Sequence, residues 1–339
     1  MQLKIGVVGL GFMGSTHLQA YQKVPGAELV AIVSGDPKKR EGDLSDVKGN
    51  LGISGEKMDF SSLARYSSPE ELFRDPNVEA VDLCVPSHLH AALAMQALDA
   101  GKHVLVEKPM GLDGDECQRM IDAAERNNRV LMVAQVLRFW PEYVVLRQLK
   151  ESGQLGEIRS AFFRRRCAAP TWGGWLQDAS ESGGGAFDLL IHDFDFCIHL
   201  LGEPDQVSGV GVEESSRGID FLEARLSYDP PLSAIVTGGW HHPESYPFSM
   251  EFTVIFEEGT VEYHSECRPL SLYRASGEKE ELNKPEEDGF VAELRTFVEA
   301  CQQNQAPLLC DPRESRRAVM LALAALESRN KGGEVVTFS

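Results

Sequence analysis

Lys4-Ile5-Gly6-Val7-Val8-Gly9-Leu10-Gly11-Phe12-Met13-Gly14 sets an apolar run directly against a glycine-rich turn. Leu3 to Val8 reads as a strand and the residues after Gly11 as a helix, the setting in which G-x-G-x-x-G becomes a dinucleotide-binding fingerprint. Gly9 allows the tight turn, Gly11 lets the backbone approach a pyrophosphate, and Gly14 lets the helix pack closely on the strand. Phe12 and Met13 open that helix, whose free N–H groups and positive dipole end face the same anion. Glycines in isolation also make ordinary turns; the strand before them and the helix behind them favour a bound nicotinamide or flavin nucleotide.

Working outward, the first 135 residues alternate strand-like and helix-like runs, the pattern of a doubly wound parallel sheet. The strands are Leu3 to Val8, Leu29 to Val33, Ala80 to Val85, His103 to Val106 and Val130 to Val133. Ser68-Pro69-Glu70-Glu71 marks a helix start, with a capping serine, a first-turn proline and a capping-box acid. Arg40 to Ser62 is polar and rich in Gly, Ser and Asp, so it reads as a long connection. After a helix from Pro141 to Glu151 the character changes. Strand-like runs follow at Ile158 to Arg166, Val207 to Val212, Phe221 to Tyr228, Ser233 to Trp240, Met250 to Phe256, Val261 to His264 and Leu270 to Tyr273. Helices from Phe290 to Gln303 and from Asp311-Pro312 close the chain. The fold class is therefore α/β, an N-terminal Rossmann domain (1–136) followed by an α+β domain (137–339) with an open, mainly antiparallel sheet.

Composition bounds the partners. The chain has 339 residues and a net charge of -19, which repels nucleic acid and acidic membrane surfaces. Seven cysteines, with no C-x-x-C pair among them, suggest reduced and mostly buried thiols rather than a disulfide framework or a zinc ribbon. With neither a cationic apolar leader nor a run of about 18 uncharged apolar residues, a cytoplasmic location is expected.

Two clusters can carry chemistry. Glu107-Lys108-Pro109 follows an apolar run and should sit at the carboxyl end of a parallel strand, where ligands of open α/β sheets bind. A lysine there can hydrogen-bond a substrate oxygen and, with its pKa lowered, move a proton. The same residues also read as a surface pair before a proline. The second cluster runs from Gly183 to Asp195, three glycines entering a helix that carries Asp188 and His192 at i and i+4. A carboxylate beside an imidazole makes a proton-transfer unit near neutral pH. Asp195 and His199 continue that face, so a metal site competes; so does a helix whose polar residues merely cap and pair, the preferred reading for His199. No metal is assigned.

In order and spacing these motifs resemble the Gfo/Idh/MocA family, the glucose–fructose oxidoreductase and inositol dehydrogenase group. Gly9 to Gly14, Pro86-Ser87-His88-Leu89-His90, Glu107-Lys108-Pro109, Gly183 to His192 and the closing helix carry the resemblance across nearly the whole chain. It implies hydride transfer between a nicotinamide cofactor and a secondary hydroxyl or carbonyl of a sugar, polyol or cyclitol. Lys108, Asp188 and His192 match the family's catalytic residues. Pro86, Ser87, His90, Glu107 and Lys108 match its cofactor-binding positions, and Gln135, Arg138, Trp172 and Trp175 its substrate-lining regions. The two tryptophans could equally anchor their loop. The resemblance also implies a homodimer or homotetramer through the open sheet face. Some relatives cleave glycosidic bonds without net redox change, and a nucleotide-binding sensor without turnover could share the fold.

The cofactor is read from the second strand. Its end carries Ser34 where NAD-binding sheets usually place an acid, and Asp36-Pro37-Lys38-Lys39-Arg40 follows. A small hydroxyl with basic residues behind it suits a 2′-phosphate, so NADP is favoured, with Ser34 and Lys39 as contacts. NAD stays open because Asp36 could take the ribose.

Overall fold

The computed structural model describes residues 2–49, 55–171, 174–214, 219–229 and 232–338. The chain divides into two compact units, one of Met1–Val136 with Asp288–Arg316 and one of Leu137–Glu287 with Arg317–Ser339.

The first unit begins with β1 (Leu3–Val8), α1 (Phe12–Tyr21), β2 (Ala27–Val33), α2 (Pro37–Arg40), β3 (Ala64–Tyr66), α3 (Pro69–Phe73), β4 (Ala80–Leu83), α4 (His90–Asp99), β5 (His103–Glu107), α5 (Gly114–Asn127) and β6 (Leu131–Ala134). The strands form a six-stranded sheet in the order β3-β2-β1-β4-β5-β6, and every pairing is parallel. Ile5, Val7, Ile32, Val81 and Leu105 are fully buried, as expected of strands covered on both faces. Before α3, the Glu71 carboxylate accepts from the Ser68 N–H at 3.1 Å, completing the cap read from the sequence. β3 is three residues long, too short for periodicity to reveal it.

The second unit contains α6 (Pro141–Ser152), β7 (Ile158–Ala168), α7 (Ala179–Ser182), α8 (Gly185–Leu201), β8 (Gln206–Glu214), β9 (Ile219–Tyr228), β10 (Leu232–His242), β11 (Ser249–Phe256), β12 (Gly259–His264), β13 (Arg268–Arg274) and β14 (Lys279–Glu281). After α9 (Gly289–Gln303) and α10 (Pro312–Asn330), β15 (Val336–Thr337) joins a nine-stranded sheet ordered β14-β13-β12-β11-β7-β10-β9-β8-β15. Among the described residues, only β7 with β10 is parallel in this sheet. One face of this sheet carries α8; on β7, Ala161, Phe163, Arg165 and Cys167 are buried while the alternate residues stay partly exposed.

One boundary differs from the sequence reading. The segment Asp288–Arg316 belongs with the first unit instead of the second, because α9 packs on α1 and β1 through a buried stripe that includes Phe290, Leu294 and Phe297.

Candidate active site

The glycine turn has the geometry a nucleotide needs. Gly9 has φ of +95°, and a Cβ there would lie 2.2 Å from the Cys84 carbonyl oxygen. At Gly14 a Cβ would meet the Gly9 carbonyl oxygen at 1.9 Å, so neither position accepts a side chain. A Cβ at Gly11 would instead have nothing within 4 Å, which leaves open the space before α1. Gly11 caps α1 without a side-chain hydrogen bond, so the first-turn N–H groups are left to an anion. These residues fit a dinucleotide pyrophosphate.

The other first-unit residues singled out above lie at the carboxyl ends of the parallel strands: Ser34 after β2, Pro86 and Ser87 after β4, Glu107 and Lys108 at β5, Gln135 after β6. Ser87 and Gln135 are each 1% exposed, and their side-chain polar atoms have no hydrogen-bond partner among the described residues. Buried polar groups are normally satisfied, so both point to a polar ligand at this edge. At the end of β2 the Asp36 carboxylate accepts from the Lys38 N–H and caps α2. Arg40 reaches back to donate to the Ser34 carbonyl oxygen at 2.5 Å. Arg40, more than Lys39, is thus the cation held at the strand end.

Two residues expected at the cofactor have internal partners. His90 is 1% exposed, with its ring nitrogens 2.7 Å from the Pro109 carbonyl oxygen and 2.9 Å from that of Val85. It braces the loops after β4 and β5, and burial, the largest influence on it, lowers its pKa. Glu107 turns one carboxylate oxygen toward His17 Nε2 at 3.2 Å, while the other accepts from the Lys108 N–H at 3.1 Å. Its carboxylate is therefore engaged inside the unit. His17 itself was missed. The available signal was a charged Asp82 in the middle of an otherwise apolar buried strand, which must find a partner.

In the second unit, α8 is buried along nearly its whole length, and Asp188, His192 and His199 are its partly exposed polar side chains. Asp188 and His192 are one turn apart, and Asp188 lies in the first turn, where the dipole favours its charge. The helix is held by ion pairs. Arg138 donates to both oxygens of Asp195 at 2.8 and 2.7 Å, and Arg165 to both oxygens of Asp193 at 2.8 and 3.1 Å. Burial opposes the charge on Arg165, and the Asp193 carboxylate more than offsets it, raising its pKa. Asp220 adds a third anchor by accepting from the Ala186 N–H at 2.8 Å and pairing with Arg329. Nothing in the sequence flagged Asp220, a strand residue far from the glycine run.

Arg138 is 1% exposed and held by Asp195 in the interior. Its pairing also removes Asp195 from any ligand set with His192. His199 is pushed down to about 3, first by burial and then by Arg138, Arg147 and Lys150, which keeps it neutral. Trp175 packs against a cluster of Cys167, Leu176, Leu189 and Trp240, which favours the loop-anchor reading. Trp172 lies outside the described residues.

The family profile described as "Oxidoreductase family, NAD-binding Rossmann fold" matches residues 3–135, and that of the "GFO/IDH/MocA C-terminal domain" matches residues 143–262. The chain belongs to the Gfo/Idh/MocA oxidoreductase family. This Gfo/Idh/MocA chain is similar to the myo-inositol 2-dehydrogenase of Thermotoga maritima, 32% identical over 96% of each chain. It is also similar to the scyllo-inositol 2-dehydrogenase (NADP(+)) IolW of Bacillus subtilis, 25% identical over 87% of this chain and 76% of the relative. Among solved structures, levoglucosan dehydrogenase in complex with NADH and L-sorbose superposes with a TM-score of 0.85 at 22% identity, covering 100% of each chain, a likeness of fold.

Proposed function

We propose that this Gfo/Idh/MocA protein is an NAD(P)-dependent dehydrogenase that oxidises a secondary hydroxyl of a sugar or cyclitol, or reduces the corresponding carbonyl. The observation that carries the reading is the Asp188–His192 pair, one turn apart on the partly exposed face of an otherwise buried helix. His192 takes the hydroxyl proton, Asp188 orients its ring and steadies the imidazolium, and Lys108 stabilises the developing oxyanion. The nicotinamide, when bound, accepts or supplies the hydride. Gln135 offers an unsatisfied amide to a ligand, and Ser87 a hydroxyl. Screening inositols and pyranoses with either cofactor, by nicotinamide absorbance, tests the reading. No turnover with any cyclitol or sugar refutes it, and product without net absorbance change points to redox-neutral chemistry.

We further propose NADP over NAD, because Ser34 and the Arg40 guanidinium gather at the end of β2 while Asp36 caps α2. The ratio of kcat/KM for the two cofactors should favour NADP about tenfold or more and fall toward unity in Arg40→Ala, since one charge-assisted contact to a phosphate is worth roughly 1.5–3 kcal/mol. A wild-type preference for NAD overturns this assignment.

The open sheet face supports a homodimer or homotetramer. Thr253, Phe162 and Ile235 lie side by side across β11, β7 and β10, and Ile255, Val210 and Val212 are exposed large apolar residues of the sheet. Exposed apolar residues on such a sheet face favour burial against a second copy. Sedimentation should show a dimer or larger; a monomer at micromolar concentration excludes it. All seven cysteines are free thiols, which fits a reducing, cytoplasmic compartment, and among the described residues no helix is long and apolar enough to cross a membrane.

A further inference from the structure

The fully buried His17 on α1 stands between two carboxylates. Its Nδ1 lies 2.8 Å from an Asp82 oxygen on β4 and its Nε2 lies 3.2 Å from a Glu107 oxygen on β5. The Nδ1 contact is a hydrogen bond, whereas Nε2 makes none and meets the Glu107 carboxylate as an ion-pair contact, an approach that favours the protonated ring. Removal from water alone would favour the neutral ring. Asp82 and Cys84 outweigh that effect and hold His17 well above its ordinary value of 6.5. The other groups facing this cluster are the Cys84 thiol, donating to Asp82 at 3.4 Å, the Tyr21 hydroxyl beside Asp82, and the Phe290 ring from α9 at 6.2 Å. His17, Asp82 and Cys84 also bring three ligand-type atoms within 4.8 Å of one another, but each is already committed to this hydrogen-bonded network.

We propose that His17 is a positioning residue for the reaction: it fixes the Glu107 carboxylate, whose second oxygen holds the Lys108 amide, and so sets where β5 delivers Lys108. This inference rests on the role given to Lys108 above. The chain of contacts runs from Asp82 to His17 by a hydrogen bond, from His17 to Glu107 by an ion pair and from Glu107 to the Lys108 N–H by a second hydrogen bond, all within the first unit. It also places a fixed positive charge behind Glu107, so the local field at Lys108 depends on His17.

The test compares His17→Gln, Glu107→Gln and the double variant with wild type. His17→Gln should lower kcat about tenfold or more, with nucleotide affinity by fluorescence within about threefold, because displacement of a positioned group is felt mainly in turnover. Loss of the buried cation should move the upper limb of the kcat/KM profile up by at least about half a pH unit. Glu107→Gln should move that limb down, and the double variant should restore it. A lower melting temperature with an unmoved limb would mean a purely structural role and overturns the proposal. If His17→Gln does not fold, an unmoved limb in Glu107→Gln does the same, and so do neutral-ring chemical shifts for His17 in 15N-histidine spectra of wild type at pH 6.5. Lys108→Ala separates the two claims. Full activity there removes the role of Lys108, whereas loss of activity there beside normal His17 and Glu107 variants removes only the present inference.

Discussion

Replacing His192 with alanine should lower turnover by about 10²–10⁴-fold while nucleotide affinity stays within about threefold, the scale on which positioned acid–base groups act. Lys108→Ala should fall in the same range, because an oxyanion forming on the substrate loses its cation. Asp188→Asn should cost less than either, since the imidazole remains and only its orientation and charge stabilisation weaken. Steady-state kinetics on the best substrate of the screen, with fluorescence titration of the reduced nucleotide, checks all three. Wild-type turnover in His192→Ala would remove the proton-transfer assignment.

The second large effect is on stability. Arg138→Ala should destabilise the protein by about 3–5 kcal/mol, because it strands the Asp195 carboxylate in the interior without its bidentate partner. Both side chains are 0% exposed, so no water is at hand to take the place of the guanidinium. The double replacement Arg138→Met with Asp195→Leu should recover most of the loss, since no lone charge is then left buried. Denaturant unfolding of the single and double variants measures both values. A fall below about 1 kcal/mol for Arg138→Ala, the range of exposed pairs, would show that Asp195 finds another partner.

The parts of this architecture that follow from local chemistry were legible in the residues. Leu3–Val8 with its glycine turn, the capped helix after Ser68 and the long strand from Ile158 announce themselves through period, cap and turn chemistry. What was hidden depends on pairing at a distance. Three successive arginines on β7 require that one faces opposite to its neighbours, but that Arg165 turns inward follows from Asp193, on another element. Likewise the partner that takes the Nε and Nη2 of Arg138, Asp195, lies 57 residues away on α8. The ring of His90 lies against two backbone carbonyls, those of Pro109 and Val85, which no local pattern announces. Functional and structural polar residues carry the same side chains, and burial with partner geometry tells them apart.

The assignment of Asp288–Arg316 to the first unit has a consequence for synthesis of the chain. Residues 1–136 emerge from the ribosome without α9, so the α1 surface that packs on it waits, uncovered, while the entire nine-stranded sheet region up to β14 is translated. Completion of the nucleotide-binding half is therefore one of the last events of biogenesis, and a gene fragment ending at 136 would encode a sheet lacking its covering helix.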